Sequence, residues 1–235
     1  MRFRGYADSL DFQETRKSKI VIASFFCIIA AYLLGSIPFA YLAGRWAKGI
    51  DLRTVGSGNL GFTNAWRTLG PKWSLPVLLF DVLKGAVAVW LAQGLRPDNE
   101  LLAILCGLIA IMGHNWTIYL GFRGGGKGVA ATAGVFLALT PISFLLALLV
   151  FLSTLYLTRI MSVSSILLAI SLVFAQLGLR IIQSTHAPSD AVFYVSILVA
   201  SIIVIRHRSN IRRLWNGTET KFVIKKEEEN KSLWK

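Results

Sequence analysis

The residues with the clearest chemical potential lie in a polar, glycine-rich segment between two strongly apolar ones, GSGNLGFTNAWR at Gly56 to Arg67. Glycines let successive backbone N–H groups converge on an anion, and a nearby arginine adds a fixed positive charge. Irregular backbone beside membrane-spanning segments must be buried in protein or line a wet cavity, because lipid offers no hydrogen-bond partners. We therefore predict an anion-binding site with these candidate residues: Gly56, Ser57, Gly58, Asn59, Asn64 and Arg67.

A second glycine-rich segment, GFRGGGKG at Gly121 to Gly128, has the same character. It nearly fits the pattern of nucleotide-binding loops, but its last position is Gly128, which has no hydroxyl for a magnesium ion. The first segment fits the dinucleotide pattern G-x-G-x-x-G, but it lacks the preceding strand that this chemistry needs. We predict that Gly125, Gly126 and Lys127 bind phosphate without a nucleotide, with simple loop flexibility as the alternative.

Two later segments carry polar side chains at helical spacing. Ser162 and Ser165, in TRIMSVSSI, share a helix face, and His207 and Asn210, in RHRSNIRRL, have the same spacing. Taken singly, such hydroxyls are often helix caps, and basic residues after an apolar segment often anchor to lipid. The topology below places both segments at the same membrane face as the glycine-rich ones, which favours one shared site.

Ionisable residues also occur within the apolar segments. Asp81 and Lys84 lie three residues apart in one of them, and His114 lies near the end of the next. Such residues at membrane depth are energetically costly, usually paired and often functional. Two interpretations of the pair stay open, a functional role and a structural ion pair that orients the helix. His114 is as compatible with packing as with catalysis.

The composition predicts an all-α, polytopic membrane helix bundle. Apolar residues make up 54% of the 235 positions, charged residues only 16%, and the mean hydropathy is +0.60. The net charge of +13 then indicates basic cytoplasmic loops and contact with anionic lipid or substrate rather than nucleic acid. Both cysteines lie in apolar segments, and no histidine, cysteine and carboxylate cluster has metal-ligand spacing. We therefore expect no disulfide framework, no metal and no other cofactor.

Seven apolar segments are candidate membrane helices: 20–44, 73–94, 101–121, 129–141, 142–158, 164–182 and 190–205. The stretch 129–158 is too long for one span and short for two. Because proline breaks helix geometry, Pro141 divides this stretch into two short or re-entrant helices.

The charges of the connectors predict the orientation. With seven segments, the basic connectors at 45–72 and 122–128 and the basic segment after 205 all lie inside, in agreement with the positive-inside tendency. The N-terminus then lies outside and the C-terminus inside, and the polar motifs share the cytoplasmic face. The basic N-terminal tail fits this orientation poorly.

Three regions follow from charge and hydropathy. Residues 1–19 form a mixed-charge tail, 20–219 a membrane domain, and 220–235 a charged, solvated tail that contains KKEEENK. The first apolar segment is too long for a signal-peptide core and lacks a convincing cleavage site, so we expect a retained anchor.

Seven ordered motifs carry a family resemblance: GSIPFAYLAGR (Gly35 to Arg45), VGSGNLGFTNAWRTLG (Val55 to Gly70), DVLKG (Asp81 to Gly85), GHNW (Gly113 to Trp116), GGKGVA (Gly125 to Ala130), TRIMSVSSI (Thr158 to Ile166) and RHRSNIRRLWNGTE (Arg206 to Glu219). Over about residues 20–219, the chain resembles the bacterial acyl-phosphate:glycerol-3-phosphate acyltransferase family, PlsY. Each motif is moderately specific, and the ordered set is much more so. The resemblance implies a seven-helix bundle in the bacterial cytoplasmic membrane, with its active site at the cytoplasmic face.

The resemblance also implies an activity, the transfer of a fatty acyl group from acyl phosphate to the sn-1 hydroxyl of glycerol 3-phosphate. The products are lysophosphatidic acid, the first intermediate of phospholipid synthesis, and phosphate. By position it implies catalytic and substrate-binding roles for six residues: Ser57, Arg67, Lys127, Ser165, His207 and Asn210. Asn59, Asn64 and Ser162 fall in the same motifs as further binding residues. We expect a monomer.

Two departures from the family pattern bear on the second loop. Three glycines stand at 124–126 where the family usually has two, followed by Ala131 and Thr132 in place of a threonine and a serine. The added glycine leaves the phosphate-binding chemistry intact but can shift Lys127. Thr117 also stands where the family usually has proline.

Two questions of function stay open at this point. A transporter or channel for phosphorylated solutes would also use basic, glycine-rich loops, although such sites tend to lie at the membrane midplane between paired repeats. A non-enzymatic binder of anionic lipid explains the charge but not the ordered polar residues. For the enzyme, the base is either His207 or an oxygen of the acyl phosphate itself.

Overall fold

The computed structural model describes residues 2–223, and all the regular elements in that range are helical. The chain forms two compact units, of which the first extends to Pro141 and the second begins at Ile142. The prediction of an all-α fold is therefore confirmed. The KKEEENK segment and most of the predicted 220–235 tail lie outside the described residues.

The first unit contains six α-helices: α1 (Arg2–Ser36), α2 (Phe39–Lys48), α3 (Phe62–Leu69), α4 (Pro71–Leu95), α5 (Glu100–Asn115) and α6 (Val129–Leu139). A short 3₁₀ turn, Ile118–Leu120, follows α5. Helix α4 is central, since it packs against α1, α2, α3, α5 and α6, and α1 also packs along α5.

Small residues let these apolar helices approach closely. A Cβ at Gly35 of α1 would overlap the backbone of Ala110 in α5, and one at Gly85 of α4 would overlap the carbonyl oxygen of Ala131 in α6. Membrane helices associate through such contacts, because lipid provides no hydrophobic driving force between them. The glycines therefore bring α5 and α6, which flank the second glycine-rich segment, against α1 and α4.

The second unit contains α7 (Pro141–Thr158), α8 (Met161–Ile181), α9 (Asp190–Arg206) and α10 (Arg208–Trp215). Helices α8 and α9 pack together, and α10 contacts the end of α9. The chain bends by 56° between α9 and α10, at His207. This bend turns the polar segment that follows α9 away from the axis of the apolar helix.

Within residues 2–223, five helical segments are long and apolar enough to cross a membrane, or six if α9 and α10 form one bent span. Helix α6 has only 11 residues, which at about 1.5 Å per residue falls well short of a bilayer core of about 30 Å. The break before Pro141 confirms the predicted division of 129–158 into two helices. Seven spans and the N-out orientation stay predictions.

The predicted boundary at residue 20 does not coincide with the start of a helix. Helix α1 begins at Arg2, and its apolar, span-like part begins at Ser18. The 1–19 tail and the 20–219 domain therefore stay predictions from composition.

Candidate active site

The first glycine-rich loop is held from within by Asn64. This residue lies in the first turn of α3 and is buried. Its Oδ1 accepts a hydrogen bond from the Ser57 backbone N–H at 3.0 Å, and its Nδ2 donates to the carbonyl oxygens of Leu52 at 3.0 Å and Val55 at 3.2 Å. Gly56 has a φ of +59°, and a Cβ there would overlap Asn64 Oδ1. The asparagine therefore fixes the loop backbone, while the Ser57 side chain stays exposed.

An ion pair braces the start of the same loop. Arg53 Nη2 lies 2.6 Å from Asp51 Oδ2, and the Arg53 backbone N–H donates to Asp51 Oδ1 at 2.9 Å. The hydrogen-bonded Arg53 guanidinium holds the pKa of Asp51 below its ordinary value. The guanidinium also stacks over the Tyr41 ring at 5.4 Å, which ties the loop to α2.

The second glycine-rich loop lies beside the first. A Cβ at Gly124 would fall 3.0 Å from Arg53 Cγ, so the arginine that braces the first loop packs against the second. Gly124 has a φ of +80°, a conformation that favours glycine. Two segments selected independently from the sequence are thus adjacent in the first unit.

Each loop leads directly into the N-terminus of a helix. Gly61 precedes α3, Gly128 precedes α6, and neither glycine has a side chain that could cap its helix. The N-terminal N–H groups and dipole of a helix favour an anion. Arg67 lies exposed in the last turn of α3, and Lys127 lies half-buried just before α6. The loops therefore supply backbone donors, and Arg67 and Lys127 are the cations that helix α3 and the second loop carry.

A buried ionic cluster lies below the second loop. Lys84 Nζ is 2.6 Å from Asp81 Oδ1, His114 Nδ1 is 3.4 Å from the same oxygen, and all three side chains are buried. They line a small pocket together with Gly125 and Gly126 of the second loop. Asp81 and Lys84 thus form an ion pair that His114 joins, and this geometry is compatible with both interpretations of the pair, functional and structural.

In the second unit, Glu219 joins two of the residues selected from the sequence. Its Oε1 accepts from Ser162 Oγ at 2.7 Å and from Asn210 Nδ2 at 2.6 Å, and its Oε2 accepts from Arg213 Nε at 2.7 Å. Burial raises the pKa of Glu219, but these three hydrogen bonds outweigh burial and hold the pKa below its ordinary value. The carboxylate is therefore charged and links α8 to α10.

The other two selected residues of this unit bond to their own helices. Ser165 Oγ donates to the Met161 carbonyl oxygen at 2.8 Å. His207 is buried at the bend, with Nδ1 2.8 Å from the Ile203 carbonyl oxygen. Since a carbonyl oxygen only accepts, Nδ1 carries the hydrogen, and in a neutral ring Nε2 then has the lone pair that a base needs.

Sequence reasoning gave Glu219 no role. The available signal was its position, since it is an acidic residue that follows a cluster of four arginines: Arg206, Arg208, Arg212 and Arg213. A single carboxylate after such a cluster predicts an ion pair. Asn64 and Ser162 were selected as binding residues, and the structure gives their side chains bonds to the first loop and to Glu219.

Comparisons with known proteins identify relatives that match most of this chain. The family described as glycerol-3-phosphate acyltransferase matches residues 25–217. A glycerol-3-phosphate acyltransferase of Desulforamulus reducens is 46% identical over 206 residues, which cover 87% of this chain and 98% of the relative. Another, of Halalkalibacterium halodurans, is 42% identical over 201 residues, which cover 85% and 96%.

Solved structures extend the similarity to the fold. PlsY (YgiH), an integral membrane glycerol 3-phosphate acyltransferase, has a glycerol 3-phosphate form that is 38% identical, with a TM-score of 0.76 over 85% of this chain and 96% of that one. Its lysophosphatidic acid form is 36% identical, with a TM-score of 0.74 over 86% and 96%. This chain therefore belongs to the glycerol-3-phosphate acyltransferase family of integral membrane proteins.

Proposed function

We propose that this chain transfers a fatty acyl group from acyl phosphate to the sn-1 hydroxyl of glycerol 3-phosphate. The hydroxyl oxygen forms the new ester bond to the acyl carbon, the bond from that carbon to phosphate breaks, and the hydroxyl proton leaves with a base. Lysophosphatidic acid and phosphate are the products. Acylation of glycerol 3-phosphate rests on the family and on its relatives, while acyl phosphate as the donor rests on the motif resemblance.

The observation that carries the proposal is the adjacency of the two glycine-rich loops, through Arg53 and Gly124. The reaction brings together two phosphate groups, one on each substrate, and each loop supplies backbone donors and leads to a cation. We assign Arg67 and Lys127 to these phosphates, assisted by the backbone N–H groups of 56–61 and 124–128. Charge-assisted hydrogen bonds of this kind stabilise the charge that develops on oxygen in the transition state.

The remaining selected residues receive roles that match their contacts. Ser57 is exposed on its loop and is assigned to a substrate hydroxyl, as are Ser165 and Asn210. Asn64 acts by positioning the Ser57 backbone. His207 is assigned as the general base, supported by the Nδ1 hydrogen bond that leaves its lone pair on Nε2.

The setting follows from the same assignments. Phosphate is a good leaving group, so direct attack by the hydroxyl needs no covalent enzyme intermediate, and positioning of the substrates provides most of the rate enhancement. We place the active site at the cytoplasmic face of the bacterial cytoplasmic membrane, in a monomer that needs no metal. Apolar surface between helices would hold the acyl chain and release the product into the inner leaflet.

The test is transfer by purified protein in lipid nanodiscs, given acyl phosphate and labelled glycerol 3-phosphate. Labelled lysophosphatidate without coenzyme A or carrier protein is the expected result. Formation only with an acyl thioester would overturn the donor assignment. Movement of glycerol 3-phosphate across proteoliposomes without acylation would support the transporter alternative, which no relative described above favours.

A second comparison tests the base. His207→Gln should lower kcat far more than it raises the KM for glycerol 3-phosphate, with Ser196→Ala as a control in a buried part of α9 that is assigned no role. A kcat close to that of the unsubstituted protein would instead assign the proton to an oxygen of the acyl phosphate.

A further inference from the structure

The buried ionic cluster of α4 and α5 supports the second glycine-rich loop from below. Lys84 Nζ donates to the Ile37 carbonyl oxygen at 3.0 Å and lies 5.5 Å from the centre of the Phe39 ring. The cluster is therefore anchored to the α1–α2 junction as well as to α4. Charges buried this deeply persist only when each has a partner.

His114 connects the cluster to the loop by two kinds of contact. Its backbone carbonyl oxygen accepts a hydrogen bond from the Gly126 N–H at 3.1 Å. Its ring lies directly against Gly126, because a Cβ at that glycine would overlap Nε2 and fall 2.6 Å from Cε1. Any change in the angle of the ring must therefore move Gly126 and its neighbour Lys127.

The adjoining glycines fit the same surface. A Cβ at Gly125 would overlap the Asn115 carbonyl oxygen, and one at Gly128 would lie 3.1 Å from Asn115 Oδ1. The loop backbone thus packs directly on His114 and Asn115, the last residues of α5. Contacts that orient His114 and Asn115 therefore also position the backbone of the second glycine-rich loop.

We propose that Asp81, Lys84 and His114 act together as positioning residues for the phosphate-binding loop, and thereby for Lys127. Asp81 fixes the His114 ring through Nδ1, and Lys84 balances the buried charge of Asp81. The ring and carbonyl of His114 then hold the path of Gly126. This role rests on the proposed function of the loop, and it requires no contact between the three side chains and a substrate.

Hydrogen exchange of the loop tests the proposal without depending on activity. We compare amide exchange over 121–128 with that over α9 in the intact protein in nanodiscs, for Asp81→Asn, His114→Leu and His114→Asn. The asparagine variant keeps a donor near the position of Nδ1, whereas leucine removes it. Cys106→Ala is the control, since Cys106 is buried in the same helix and contacts Cys27 rather than the loop.

We expect roughly tenfold faster loop exchange in Asp81→Asn and His114→Leu, unchanged exchange in α9, and a rise of similar size in the KM for glycerol 3-phosphate. His114→Asn should lie close to the unsubstituted protein. The double variant Asp81→Asn/His114→Leu should be no worse than the poorer single variant, because both act through one ring.

Three results would overturn the proposal. One is a loss of activity with normal loop exchange, and another is faster exchange throughout the protein. The third is equal loop exchange in His114→Leu and His114→Asn. These two variants also decide the question if Asp81→Asn does not fold. If the unsubstituted protein is inactive, the proposed function is wrong. The exchange comparison would still test the positioning role of Asp81, Lys84 and His114.

Discussion

Asn210 Nδ2 donates a hydrogen bond to Glu219 Oε1 at 2.6 Å, across the turn that follows α10. The same oxygen accepts from Ser162 at the start of α8, so one carboxylate orients a residue from each of two helices. Asn210 belongs to the set assigned to substrate. Its amide nitrogen is committed to Glu219, so the orientation of its oxygen is fixed by this bond.

Removal of the Glu219 carboxylate should therefore lower both the stability and the activity of the protein. In Glu219→Ala, Ser162 and Asn210 lose their buried acceptor, which should lower the free energy of unfolding by roughly 1–3 kcal/mol. The kcat should also fall, because Asn210 loses the hydrogen bond to Glu219 that orients its amide. Glu219→Gln retains an acceptor oxygen and should be intermediate in both thermal unfolding and kcat. Equal activity of the alanine and glutamine variants would contradict this orienting role.

Acid should remove the contribution of Glu219. Since the pKa of Glu219 in the folded protein is held below its ordinary value of 4.5, the contribution is complete above that value. It is lost as the pH falls through the lowered pKa. The difference in unfolding temperature between the unsubstituted protein and Glu219→Gln should thus be constant near neutral pH and shrink in acid. A difference that stays constant throughout acid titration would show that the charge of Glu219 contributes nothing.

Asn64 should affect activity by holding the backbone of the first glycine-rich loop rather than by contacting substrate. Asn64→Asp keeps the acceptor for the Ser57 N–H but loses both donors, to Leu52 and Val55. We expect a roughly tenfold or greater fall in kcat/KM, with faster hydrogen exchange over 51–61. Asn99→Ala is the matched control, because it removes an asparagine that caps α5 away from the loops. It should lose comparable stability but keep its activity.

Substitution of Arg67 or Lys127 should lower activity more than substitution of any other side chain assigned to the site. Each alanine variant should lower kcat/KM by about 10²-fold or more in folded protein, because a desolvated phosphate loses its cation. Arg96→Ala, which removes a half-buried arginine paired with the exposed Asp98, should have no such effect. Near-normal turnover in both Arg67→Ala and Lys127→Ala would refute phosphate binding by these loops.

Much of the fold could be predicted from local signals. Long apolar segments gave the helices, and Pro141 gave the break between α6 and α7. The start of α1 at Arg2 could not be predicted, because a mixed-charge segment carries no clear helix boundary. The shortness of α6, by contrast, was predicted, because Pro141 ends the helix and the second glycine-rich segment precedes it.

The candidate site shows a similar division. Glycine-rich loops with a nearby cation could be recognised from spacing alone, and the structure brings the two loops together through Arg53. The partners of Asn64, His114 and Glu219 are backbone atoms or residues distant in the sequence. Such contacts depend on packing between helices, for which a single sequence holds no periodic signal.

The packing of α1 on α5 has a chemical test in the two cysteines. Cys27 and Cys106 lie 79 positions apart in the sequence, yet their Sγ atoms are 3.8 Å apart. A disulfide needs the sulfurs at about 2 Å, which small side-chain rotations can provide when the Cβ atoms already face each other. A membrane-permeant oxidant should therefore link them within one chain and block both thiols from alkylation after denaturation. Cys27→Ala should leave Cys106 alkylatable. If both thiols stay reactive after oxidation, or if the link forms only between two chains, the register of α1 against α5 is wrong.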